Sequence, residues 1–166
     1  MSLPDLAAVL WRQRELLERL VYRLECEQLL LASGRTRWLA TATGEVEAVL
    51  AELAVVEVHR AATADAACRE LGLPVGSSLE TLAATAQPPW TGVLVDHRQV
   101  LLTLTGELSA LAETNKHLMS AGMSAVEQTL RTLGFAPEGG AGGYDARGRH
   151  GAASGPSTWA VVDRTL

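Results

Sequence analysis

The chain has 166 residues, 48% of them hydrophobic and 20% charged, with a net charge of −5. That is enough chain to bury one core without disulfides or metals, and too much apolar content for a wholly disordered chain. Aromatics supply only 4%, so the apolar mass is Leu, Ala and Val, which favours helix over a β-sandwich or barrel. Mild acidity argues against a general nucleic-acid or anionic-membrane binder.

The expected architecture is all-α: an antiparallel helical hairpin, a long third helix, one short helix and a disordered C-terminal tail, in a coiled-coil-like bundle. Ser2 with Asp5 reads as a capping box, with Pro4 tolerated in the first turn. Leu3, Leu10, Leu17, Leu24 and Leu31 then recur at heptad spacing beside Leu6, Val9, Leu16 and Leu20, up to Ser33-Gly34. A second stripe follows at once through Leu39, Ala42, Val46, Val49, Leu53 and Val56, then Arg60, Ala64, Ala67 and Leu71. So short a link makes the two helices an antiparallel hairpin.

Gly72 to Gly76, with Pro74 between, ends the second helix; Ser77 and Glu80 read as a cap for a short helix over Leu79 to Ala86, stopped by Pro88-Pro89. Trp90 either plugs the end of the hairpin or faces solvent. The last pattern runs from Thr91 to Leu133. Its first stripe is Leu94, Leu101, Leu104, Leu108, Leu111 and Leu118; its second, Met119, Met123, Val126, Leu130 and Leu133, is on a shifted phase. Such a stutter turns the apolar face. At about 1.5 Å per residue this helix spans ~65 Å against ~45 Å for the first, so its C-terminal part is expected to overhang. An overhanging apolar strip rich in flexible Met suits capture of an amphipathic helix; dimerisation through the same strip is the alternative. Residues 1–134 thus form a helical domain, and the Gly/Ala-rich 135–166 a flexible tail.

No catalytic or metal-binding pattern emerges, so neither enzyme activity nor a cofactor is expected. Gly139 to Gly143 lacks the Lys-Ser/Thr ending and the strand–helix context of a phosphate loop. Glu57 and His59, or Glu113 and His117, do not have the spacing of a diiron bundle. Cys26 and Cys68 belong to no metal-ligand or redox spacing and read as two buried, reduced thiols in preference to a disulfide, in keeping with a cytoplasmic location. The first ten residues lack a signal peptide's features. Glu52 and Glu57 interrupt the best candidate membrane span. Two polar positions interrupt the apolar stripes. Asn115 lies between Leu111 and Leu118, and Arg60 lies within reach of Glu57; each is either a register-setting buried group or a solvated edge.

Several segments together resemble the FlgN family of flagellar export chaperones: the Leu-rich first helix with Glu15, Glu18 and Glu27; Glu57-x-x-Arg60; Leu71-Gly72-Leu73; Ser78-Leu79-Glu80-Thr81-Leu82-Ala83; Asn115-x-x-Leu118; and Tyr144-Asp145-Ala146-Arg147-Gly148. Ala112 departs from the Asn-x-x-Asn that members often carry. The resemblance implies a cytoplasmic chaperone that covers the C-terminal amphipathic helices of hook–filament junction (hook-associated) proteins and delivers them to the membrane export gate. The strip Leu118, Met119, Met123, Val126, Leu130 and Leu133 would then be the cargo-binding face, and Tyr144 the export-gate contact. Glu57, Arg60 and Asn115 would be structural polar residues. The rival reading is a coiled-coil scaffold that homodimerises through its apolar seams.

Overall fold

The computed structural model describes residues 2–132, the side chains of Leu130 and Arg131 excepted. The expected tail, the boundary at 134/135, Leu133 and Tyr144 lie outside the described residues. Four helices, with no strand among the described residues, make up the fold: α1 (Ser2–Ala32), α2 (Leu39–Glu70), α3 (Leu79–Thr85) and α4 (Trp90–Thr132). A single 3-10 turn, Thr36–Trp38, precedes α2.

Both ends of the hairpin close by the same device. Gly34, at φ 67°, allows Arg35 N–H to reach back to Leu30 O at 3.1 Å and Gly34 N–H to Leu31 O at 3.2 Å. Gly72, at φ 70°, does the same for α2, with Leu73 N–H bonding Cys68 O at 2.8 Å. These bonds satisfy the last orphan carbonyls of each helix in a conformation that only Gly adopts without strain.

The helix starts differ from expectation. Ser2 does not cap α1 through Asp5. Its backbone N–H donates to the Glu70 carboxylate of α2 at 2.8 Å and its hydroxyl donates to the same oxygen, so the first turn of α1 is tied to the last turn of α2. Those two donors hold the Glu70 carboxyl below its usual range. At α3 the cap is Ser78, not Ser77. Its hydroxyl accepts from Thr81 N–H at 3.2 Å, while Ser77 Oγ bonds back to Pro74 O at 2.7 Å.

α1 is the central element. It packs antiparallel against α2 on one side and parallel against α4 on the other, while α2 and α4 barely meet. The parallel pairing follows from the connection: α2 returns the chain to the N-terminal end of α1, and α3 and the Pro88-Pro89 turn keep it there before α4 sets off. Accordingly Arg14 pairs with Asp96 at 3.0 Å near one end, and Asn115 lies beside Leu24 and Glu27 near the other. Burial on two sides explains why α1 needs both Leu rows: Leu6, Leu10, Leu16, Leu17 and Leu20 are wholly buried, with Leu53 from α2 and Leu94 and Leu101 from α4. Trp90 packs, partly buried, against this core.

His97 sits inside the α1–α4 seam, 1% exposed, with its ring edge-on to Trp11 at 4.9 Å. Burial pushes its pKa below 6.5, the nearby Arg14 charge adds to that, and Asp96 opposes it in part. The folded protein therefore holds a neutral imidazole. Below about pH 6.5 the unfolded chain takes up a proton more readily than the folded one, so stability should fall as pH drops through that value. His97→Met should flatten that part of the melting-temperature profile; an unchanged slope would remove His97 as its origin.

Candidate functional site

Beyond Asn115, α4 changes face. Leu101, Leu104 and Leu108 are buried against α1, but from Met119 to Thr129 every residue is exposed. Met119, Met123 and Val126 are 38%, 57% and 60% exposed, which is the turned face that the shifted stripe predicts. Because Asn115 is level with Leu24 and Glu27, α1 runs out roughly ten residues before α4 does, leaving ~15 Å of helix beyond it.

That overhang is not a bare rod. It forms one wall of an open cleft of about 380 Å³ whose other wall is Leu30 and Leu31 of α1, the Gly34–Thr36 turn and Leu39 of α2. Leu118, Met119, Gly122, Met123, Val126 and Glu127 face them from α4. A second hollow of about 340 Å³ lies alongside, between Leu24 and Glu27 of α1 and Ala112, Asn115, Lys116 and Ser120 of α4. Met119 and Met123 line both and form the ridge between them. Four of the six expected strip residues, Leu118, Met119, Met123 and Val126, are thus brought together. The Leu130 side chain and Leu133 lie outside the described residues.

Sequence reasoning missed the opposite wall. Leu31 and Leu39 were legible only as the last and first members of their stripes, and nothing in either stripe says that the hairpin turn would face α4. Gly122 was not singled out either. It lines the cleft, and a Cβ there would meet nothing within 4 Å.

Beneath the cleft a polar bridge joins all three long helices. Asn115, 3% exposed, donates from Nδ2 to Leu24 O at 2.9 Å and to Glu27 Oε2 at 3.0 Å, and Glu27 Oε1 accepts from Thr43 Oγ1 at 2.8 Å. Midway along the hairpin Arg60, 6% exposed, is clasped by Glu57, with Nε to Oε2 at 2.9 Å and Nη2 to Oε1 at 2.5 Å; Gln13 of α1 donates to the same carboxylate at 3.2 Å. Both polar positions left open by the sequence are therefore buried: Asn115 bonds directly to α1, and Arg60 is joined to α1 through Glu57, which accepts from Gln13. A one-residue slip of either neighbour would break these bonds, so the two clusters set the relative height of the helices over which the cleft is built.

A family model described as FlgN protein matches residues 1–151. The chain belongs to the FlgN family. No curated protein and no solved structure matches it. Membership makes it a flagellar export chaperone in general terms, in a family of chaperones and not of enzymes, whose cargo is hook-associated protein. The match spans α1 to α4 and continues past them through Tyr144. Among the described residues no helix is long and apolar enough to cross a membrane, and no three His, Cys, Asp or Glu side chains cluster as a metal site.

Proposed function

We infer that the cleft between the hairpin turn and the distal part of α4 holds the C-terminal amphipathic helix of a hook–filament junction protein. The carrying observation is the exposed Met119–Met123–Val126 ridge facing Leu30, Leu31 and Leu39 across an open apolar gap. A helix laid there buries its apolar face against flexible thioethers that adjust to more than one sequence. Covering the cargo's helix keeps it from associating before export. Binding must also be reversible, and an open groove that orders a foreign helix gives a modest net affinity after ordering costs. Such a chaperone works in the cytoplasm and hands its cargo to the export gate.

The chain has three methionines, Met1, Met119 and Met123, which makes the test direct. With 13C-labelled Met methyls, titration with a peptide of the cargo's C-terminal helix should shift the Met119 and Met123 signals and leave Met1 unmoved. Binding without movement of those two signals would place cargo elsewhere. Tyr144 we assign to the export-gate contact. Tyr144→Ala should leave thermal stability and cargo affinity unchanged while weakening capture by the gate's cytoplasmic domain; unaltered capture would dismiss that role.

A further inference from the structure

α2 carries a second apolar periodicity on the side away from α1. Gly44, Ala48, Ala51, Val55, Val58 and Ala62 alternate steps of four and three, and every one of them is exposed. Val55 and Val58, at its centre, are 59% and 68% exposed. At about 100° per residue this row lies opposite the buried row Ala42, Val46, Val49, Leu53 and Arg60. A surface helix ordinarily shows a charged outer face. Here α4 is on the far side of α1 and leaves α2's outer row without a neighbour.

We propose that this face is the contact between two copies of the chain, paired antiparallel through α2 about a two-fold axis near residue 53. The row has a coiled-coil seam's spacing, and its small residues let two backbones approach closely. The flanking charges choose the orientation. On one edge stand Glu45, Glu52 and His59; on the other Glu47, Ala54 and Ala61. In a parallel pair each Glu47 would face the other copy's Glu52, two like-charge contacts. In the antiparallel pair Val55 meets Ala51, Val58 meets Ala48, each Glu45 faces a His59, and Glu47 faces Ala61. The two Glu52 meet at the axis, but Arg12 and Arg19 already hold Glu52 at 3.0 and 3.3 Å, so that contact is neutralised from within each copy.

From Gly44 to Ala62 the seam is ~27 Å long. Two such faces bury on the order of 1,000 Å², at the lower end for a specific interface, so the pair is a reversible dimer and not an obligate one. The contact leaves the α4 cleft open in both copies and is independent of the cargo assignment.

Sedimentation velocity over a micromolar concentration series should show the mass rising from 17.6 kDa towards twice that value. Val55→Glu with Val58→Glu should stay monomeric at every concentration with an unchanged thermal melt, while Met123→Asp should dimerise as the parent does. Orientation is read from disulfide trapping, with the parent chain as the control for Cys26 and Cys68. Ala54→Cys, next to the axis, should cross-link to its own copy, and Ala48→Cys, far from its mate, should not. A parent that stays monomeric throughout, a dimer that survives the double Glu variant or is lost with Met123→Asp, or trapping at residue 48 in place of 54 would each overturn the proposal.

Discussion

Glu57→Ala is expected to destabilise the folded protein by about 3 kcal/mol, through charge and not through lost packing. Arg60 is buried in the α1–α2 seam, and Glu57, which contacts it through both carboxylate oxygens, supplies the neutralising charge. Removing the carboxylate strips the guanidinium of that charge and takes the acceptor from Gln13 Nε2 as well. For a helical domain of this size the midpoint of thermal unfolding should fall by roughly 10 °C. Replacing both partners, Glu57→Leu with Arg60→Met, should recover most of that loss, because two apolar side chains carry no desolvation penalty. Thermal and urea melts of the two variants measure both effects. A Glu57→Ala variant within about 0.5 kcal/mol of the parent would show that the pair contributes nothing to holding the hairpin.

Met123→Asp should weaken cargo binding by about 100-fold, a change of ~2.7 kcal/mol. The side chain stands on the ridge between the two hollows, and a bound helix would bury it among Leu30, Leu31 and Val126. A carboxylate there must be desolvated to let the cargo's apolar face in. In the free protein the same residue is 57% exposed, so helicity and the melting point should be nearly untouched. Adding Leu130→Asp should abolish binding. Calorimetric titration with the cargo's C-terminal helix, paired with far-UV circular dichroism, separates the cases. Loss of helicity in Met123→Asp would make the strip core, and unchanged affinity would remove it from the cargo face.

The legible features were those carried by local periodicity. Heptad leucines placed α1 and the start of α4 within one or two residues, Gly34 and Gly72 stopped the hairpin's helices because a left-handed cap requires glycine, and the phase shift after Leu118 announced the turned face. Cap chemistry was less legible. Ser2 matched the capping-box pattern, but the structure gives its donors to Glu70, 68 residues away, and no local pattern carries that information. Ser77 was the expected cap of α3, but the Pro74 turn takes its hydroxyl and leaves the cap to Ser78.

By itself the sequence determined an all-helical fold, the antiparallel hairpin, the turned Met119–Met123–Val126 face of α4 and the resemblance that the family match upholds. These depend on spacing along one helix, where 3.6 residues per turn converts order directly into a face. Only the tertiary structure decided that α4 lies parallel to α1 and clear of α2. It also decided that Leu30, Leu31 and Leu39 form the second wall of the cleft, that Asn115 reaches Glu27 and that α2's outer row is bare. Each of these is a relation between helices. An amphipathic stripe says that a face must be covered, and not which of several equally apolar faces will cover it. The choice came from groups that tolerate one height only: the α2–α4 connection that starts α4 beside the N-terminus of α1, and the buried Asn115–Glu27–Thr43 bridge, whose hydrogen bonds form in a single register.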